Sequence, residues 1–384
     1  MVALGGGLCL IAATTAGTLF SFNILPAPSG PYAIGVSDLA PAPQNRSGLP
    51  QSRTRLWYPV NHCAENYHGL SLSALDRVRA RLNLPVSLVA LPDGLPAKSN
   101  GPFPLLIYFS SWPGTGIDNF ILIRELVSHG YVVATIEYPA KPTELQRPMD
   151  FSSGTAYANT VRIANERVRQ RAHDAIRVLD FLAARTQRND PLTGLINVDR
   201  AGIFGYSLGG AVASETCWLD RRFKAAMNLD GWDWADSFEH GIIQPYLFIS
   251  GSFAPTPADL RSSNPDRRFN ALLNQANTEY WQINLARRVG VRVTIANADH
   301  SDFSDTPYHS LRNRLSGRTI EPKPMRAIVH GYARAFFDQY LKNLNSPLLR
   351  NSTPLQEVPA PFAGATVIVG SSARIAAFPL AKDP

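Results

Sequence analysis

The chain has 384 residues, enough to bury a full hydrophobic core but too few for two large domains. Only 17% of residues are charged and 30 are proline, which excludes a disordered polyelectrolyte and points to a compact body with many loops. The net charge of +7 permits contact with anionic surfaces, but Lys and Arg are scattered without a dense run, so nucleic acid is not an expected partner.

The first 25 residues, "MVALGGGLCLIAATTAGTLFSFNIL", are apolar, and no charge precedes Asp38. The stretch is about long enough to span a bilayer. With "TTA" at 14–16 as a small-residue cleavage site it also reads as an export signal, although the basic flank common to both is missing. The expectation is a membrane-anchor or signal-like segment over 1–25. The protein is then membrane-anchored, secreted or periplasmic, with a cytoplasmic location as the alternative. The three cysteines, Cys9, Cys63 and Cys217, form no C-x-x-C pair, which argues against a zinc ribbon or a thioredoxin-like site. A Cys63–Cys217 disulfide and two free thiols both stay open. His62, Cys63 and His68 fit no common metal-site spacing, so no metal is expected.

A loop-rich stretch follows, with a short strand at 32–36 and an alternating strand at 54–60. Residues 70–82 read as a helix and 86–91 as a strand. The regular part begins at Pro104. "LLIYF" (105–109) is a continuous apolar run of the kind covered on both faces. Helical spacing over 118–129 stops at Gly130. "YVVATI" (131–136) is the next buried strand, and 160–185 is the clearest helix, with Val168, Ala172, Ala175, Leu179 and Leu182 on one stripe. Strands at 201–204, 225–229, 246–250 and 291–296 follow, then an amphipathic helix at 325–344. "ATVIV" (365–369) reads as an extra edge strand. Strands alternating with helices predict a mostly parallel sheet with helices on both faces. The segment 252–280 reads either as a lid or as a solvated surface loop.

The stretch "GIFGYSLGGAVAS" (202–214) carries the chemistry. Gly205-Tyr206-Ser207-Leu208-Gly209 lies between a buried strand and a helix, the setting of a nucleophile elbow. A serine hydroxyl needs a base. His300 sits just past the last core strand, at the same end of the sheet as Ser207. The base needs a carboxylate. Asp230 ends strand 225–229, whereas the loop after the next strand, "GSFAPTPAD", has no acid until Asp259. Asp233 and Asp236 read as solvated loop residues. The order Ser207, Asp230, His300 is that of the α/β-hydrolases. For an oxyanion, the Leu208 N–H is the first expected donor. The loop "SSWPGTG" after strand 105–109 should supply the second, and Trp112 is the candidate because Pro113 has no N–H. Trp232, Trp234 and Phe303 flank these positions and are expected to line an apolar substrate pocket.

The chain resembles bacterial α/β-hydrolases of the platelet-activating factor acetylhydrolase-like group. The matching stretches are "SGPYAIG" (29–35), "WPGTGIDN" (112–119), "ELVSHGYVVATIEYP" (125–139), "NVDRAGIFGYSLGGA" (197–211), "NLDGW" (228–232), "GIIQPYLFISG" (241–251) and "ADHSDFSD" (298–305). Together they cover roughly 29–340. The resemblance implies an α/β-hydrolase catalytic domain over 26–345, with 346–384 as a Pro/Ala-rich extension. It also implies ester hydrolysis through an acyl-enzyme on Ser207, with Asp230 as acid, His300 as base and no cofactor. The implied partner is a small-molecule or lipid ester, with short-chain acyl or phospholipid-type esters foremost. A polyester or cutinase-like hydrolase, an acyltransferase and a non-catalytic binding module are the alternatives. The chain departs from the group at Ser111-Trp112-Pro113, where relatives often have a His-Gly or Gly-Trp-Gly type loop. It departs again at Tyr206, where they often have His.

Overall fold

The structure is a computed structural model that describes residues 26–39, 52–61, 91–92, 95–114, 116–138, 149–187, 190, 192–251, 255–287, 290–309, 320–349 and 365–369. The segment 1–25, the helix expected at 70–82, most of the strand expected at 86–91, and Cys9, Cys63, His62 and His68 lie outside these residues. Cys217 is a buried free thiol. Among the described residues no helix is long and apolar enough to cross a membrane.

Among the described residues there are ten strands: β1 (Ala33–Leu39), β2 (Arg53–Val60), β3 (Leu91–Pro92), β4 (Phe103–Phe109), β5 (Val132–Glu137), β6 (Ile196–Tyr206), β7 (Phe223–Leu229), β8 (Tyr246–Ser250), β9 (Gly290–Ile295) and β10 (Ala365–Val369). They make one sheet in the order β10-β9-β8-β7-β6-β4-β5-β2-β1-β3. From β5 through β4 and β6 to β9 all neighbours are parallel. The outer pairs β1–β2, β2–β5 and β9–β10 are antiparallel. β10 comes from the segment read as a C-terminal extension, so part of that segment belongs to the same sheet.

The helices used below are α1 (Phe120–Ser128), α2 (Gly154–Thr186), α3 (Leu208–Leu219), α4 (Ala235–His240), α5 (Pro265–Arg287) and α6 (Pro322–Lys342). β4 shows why the sheet is buried on both sides. Leu105, Ile107 and Phe109 pack with Ala164 and Val168 of α2 and with Ala211 and Val212 of α3. Leu106 and Tyr108 point the other way, to Leu122 of α1 and to Ile328 and Phe336 of α6. Side chains alternate along a strand, so a strand with apolar residues at every position needs a cover on both faces. This is the expected α/β arrangement.

Two elements run longer than the sequence suggests. α2 starts at Gly154 rather than 160, because the Ser153 hydroxyl accepts from the Ala156 N–H at 3.1 Å and caps a first turn without apolar periodicity. β6 starts at Ile196, because residues 197–200, Asn197, Val198, Asp199 and Arg200, extend the strand before its fully buried part. The segment 252–280 differs in kind. From Pro265 it is the helix α5, which buries Leu273, Asn277, Tyr280 and Trp281. Asn277 interrupts the apolar stripe, so the sequence pattern is weak. Asn277 is satisfied by the loop it packs on, where it accepts the Asp233 N–H.

Strand order places the functional end. β5 lies on one side of β4, and β6, next in the chain, lies on the other. The chain therefore leaves the carboxyl ends of β4 and β6 in opposite directions and opens a crevice between them, the usual ligand position in an open parallel sheet.

Candidate active site

Ser207 follows β6 at that crevice, and α3 begins at the next residue. Its backbone is at φ 54°, ψ −124°, which a non-glycine residue adopts only under strain. The strain is held by the sheet, because the Ser207 N–H donates to Leu229 O at 2.9 Å. The elbow also needs close approach. A Cβ on Gly209 would run into the Phe109 carbonyl, and one on Gly231 would run into the Ser207 carbonyl. Gly209→Ala is therefore expected to lower stability by about 1–3 kcal/mol, the usual range for overpacking, toward the upper end because the clash is with fixed backbone. Urea unfolding measures this, and an unchanged midpoint would refute the fit.

His300 opens a short 3-10 turn, His300–Phe303, after β9. Asp299 and Asp302 cap that turn reciprocally. Asp305 pins the loop to the start of α1 by accepting from the Phe120 N–H at 2.5 Å and the Ile121 N–H at 3.3 Å. Burial pushes the Asp305 carboxyl up to about 8 against the pull of those two donors. Tyr206 braces the imidazole from the side, stacked at 4.8 Å between ring centroids, and its hydroxyl donates to His300 O at 3.0 Å. The sequence marked Tyr206 only as a departure from relatives. Its bracing contact appears only once β6 and the loop after β9 are side by side.

The three residues form a line. His300 Nε2 lies 3.0 Å from Ser207 Oγ, and His300 Nδ1 lies 2.6 Å from Asp230 Oδ2. Asp230 ends β7, is 4% exposed, and receives the Gly251 N–H on its other oxygen at 2.8 Å. An ionised carboxylate only accepts, so the imidazole proton sits on Nδ1 and the Nε2 lone pair faces the serine. The Ser207 hydroxyl then donates to Nε2. The arrangement can deprotonate a serine as it attacks.

Asp233 is not solvated as the sequence suggested. It is 1% exposed and collects the Ser214 hydroxyl at 2.6 Å, the Trp281 indole N–H at 2.7 Å and the Tyr246 hydroxyl at 3.0 Å. Burial still pushes its carboxyl up to about 6, because these donors offset the desolvation only in part. Asn277 of α5 accepts the Asp233 N–H at 2.6 Å, and Asn228 bonds both backbone groups of Gly231. This buried polar network fixes the loop that presents Asp230. Asp236 is partly exposed and pairs with Arg169.

A cavity of about 850 Å³ opens over Ser207. It is within the range that holds small organic ligands. Trp112, Leu208, Trp232 and Trp234 line it, with Met149 and Phe151. A polar stripe of α5, Asp266, Asn270 and Asn274, spaced four residues apart on one helix face, also lines it. Asn274 accepts the Trp232 indole N–H at 2.7 Å. The sequence reading missed this stripe, because Asn and Asp at helical spacing look like a solvated face. Phe303 does not reach the cavity. It is 2% exposed in the core between the sheet, α1 and α6, since the turn that lifts His300 outward turns Phe303 inward. Among the described residues no cluster of His, Cys, Asp or Glu has the makings of a metal site.

A mostly parallel sheet covered on both faces, with a strained serine between β6 and α3 and a His–Asp pair beside it, is the α/β-hydrolase fold. A solved ferulic acid esterase from Streptomyces cinnamoneus has the same fold, with a TM-score of 0.62 and 22% identity over 90% of this chain and 99% of its own. The chain belongs to the family of platelet-activating factor acetylhydrolase, isoform II, whose model matches residues 18–307. It is similar to platelet-activating factor acetylhydrolase of Cavia porcellus, 26% identical over 285 residues that cover 64% of each chain. The Gallus gallus protein of the same name is 25% identical over 279 residues, covering 59% of this chain and 65% of its own. The chain thus matches slightly under two thirds of the length of these curated relatives.

Proposed function

We propose that the protein hydrolyses carboxylic esters through an acyl-enzyme on Ser207, with short-chain acyl or phospholipid-type esters as the substrate class. The observation that carries this is the hydrogen-bonded line from Ser207 through His300 to Asp230 at the carboxyl end of the sheet. Family membership supports the ester chemistry. Ser207 Oγ attacks the ester carbonyl while His300 Nε2 takes its proton. The tetrahedral oxyanion is met by the Leu208 N–H at the start of α3 and by a donor from the loop after β4. A first-turn helix N–H has no partner within its helix and suits an anion. Asp230 keeps the tautomer and stabilises the imidazolium. The alcohol leaves with the proton from His300. Water, deprotonated by the same imidazole, then releases the acid. His300 can act as base only in its neutral form.

The aromatic side of the cavity favours the apolar part of the ester, and the α5 side favours its polar part. The test is fluorophosphonate labelling with peptide mapping, beside a p-nitrophenyl ester series from acetate to palmitate. Label on Ser207 with faster turnover of short chains is the expected result. Absence of label in folded protein would overturn the reading and favour a binding module.

A further inference from the structure

Ser111, Trp112 and Pro113 of the loop after β4 line the same cavity as Ser207, and three consecutive carbonyls of that loop converge on one side chain. Arg171 of α2 donates from Nη1 to Ser111 O at 3.1 Å, and from Nη2 to Trp112 O at 2.8 Å and Pro113 O at 3.2 Å. Arg171 is 4% exposed. Its guanidinium also lies 4.8 Å from the centroid of the Tyr138 ring. One turn earlier, Arg167 donates to Trp112 O at 3.2 Å and stacks over the Trp112 ring at 4.4 Å. Counter-charge comes from buried Asp174, which also binds the Tyr138 hydroxyl and Arg177. A guanidinium buried at this depth carries a large desolvation penalty, and an apolar side chain would fill the space without it. What the apolar side chain could not do is hold three carbonyls in one direction.

That direction has a consequence for the N–H groups. In a trans peptide the C=O and N–H point opposite ways. The described cis bond of the chain is elsewhere, at Gly101–Pro102. With the Ser111 and Pro113 carbonyls drawn onto Arg171, the N–H groups of Trp112 and Gly114 are turned away from it. The peptide between them ends in Pro113 and has no N–H. The Ser111 N–H is already taken by Asp118 Oδ2 at 2.8 Å. Gly114 is at φ +68°, and a Cβ there would stand 2.6 Å from Arg171 Nη2, so the backbone closes tightly on the guanidinium.

We infer that Arg171 is the positioning residue of the oxyanion loop: by gathering the Ser111, Trp112 and Pro113 carbonyls it aims the Trp112 N–H, on the cavity-lining part of that loop, at the oxygen that becomes charged during acylation of Ser207. This rests on the acyl-enzyme reading above. Arg171 does not touch substrate. It supplies the order that the proline in this loop would otherwise disturb.

The test uses the full chain with Arg171→Lys and Arg171→Met. The readouts are kcat and KM for p-nitrophenyl acetate and inhibition by a phenylboronic acid, which forms a tetrahedral adduct on the serine. Fluorophosphonate titration counts active sites, so rates refer to folded enzyme only. Wild-type enzyme that is neither labelled nor active would count against the acyl-enzyme reading itself. Given active wild type, kcat per site is expected to fall about 10- to 100-fold with KM within about 3-fold, because the lost interaction belongs to the transition state. Boronate affinity should fall by a similar factor. If Arg171→Met fails to fold, Arg171→Lys decides, because one ammonium cannot span the carbonyls as a planar fork does. Wild-type kcat per site in either folded variant overturns the inference. So does a lowered kcat with unchanged boronate affinity, which would mark a merely structural role.

Discussion

Ser207→Ala is expected to lower ester turnover by a factor on the order of 10⁴ to 10⁶ and to abolish fluorophosphonate labelling, the scale set by loss of a serine nucleophile. Stability should change by less than about 1 kcal/mol, because alanine keeps the Cβ and the lost hydroxyl faces an open cavity. The backbone strain at φ 54° therefore persists in the variant. Ser207→Gly removes both the nucleophile and the strain, which is worth about 1–3 kcal/mol at such positions. Part of that gain is offset by the greater freedom of glycine in the unfolded chain. The expected pattern is two inactive variants, with the glycine form melting at the higher temperature. More than a hundredth of wild-type turnover in Ser207→Ala would place the nucleophile elsewhere.

The second large effect separates two acids three residues apart. Asp230→Asn should lower kcat by roughly 10⁴-fold while leaving the melting temperature close to wild type, because the amide presents the wrong hydrogen-bond pattern to His300 Nδ1. Asp233→Asn should do the reverse. It breaks a buried network in which Ser214, Tyr246 and Trp281 all donate to one carboxyl, and its expected loss is about 2–4 kcal/mol of stability with kcat within tenfold. Asp233 also has a pH signature. Its carboxyl is raised from 3.8 to about 6, so between those values the folded state binds the proton more tightly than the unfolded state. Stability from this group is greatest below about pH 4 and declines as pH rises through 6. Asp233→Asn should remove that slope from a plot of melting temperature against pH. If Asp233→Asn abolished turnover in folded protein and Asp230→Asn did not, the assignment of the acid would be reversed.

Much of the site could be read along the chain because each part is local. An apolar strand, a glycine-flanked serine and a small-residue helix are contiguous, and close packing demands that composition at 202–214. His300 and Asp230 were legible as polar residues placed just past buried strands. The parallel core was legible too, because runs such as 105–109 and 246–250 are apolar at every position and require a cover on both faces.

Tertiary structure decided what depends on direction. The strand-end position of Asp230 was legible, but nothing local showed that Asp233 would be turned inward, and the turn after β7 points it into Ser214, Tyr246 and Trp281. Phe303 follows His300 closely, yet the short turn between them sends one to the cavity and the other to the core. α5 was hard to read because Asn277 interrupts the apolar stripe it buries, and Asn270 and Asn274 lie beside it. The partners that satisfy Asn274 and Asn277 lie more than 40 residues away, at Trp232 and Asp233. Arg171 reads in sequence as a charge between apolar helix positions. Its meaning comes from β4 ending beside α2, where three carbonyls need donors and one guanidinium supplies them. Hydrophobic periodicity records which face of an element is buried, whereas the partner of a buried polar group is set by chains that meet only in the folded state.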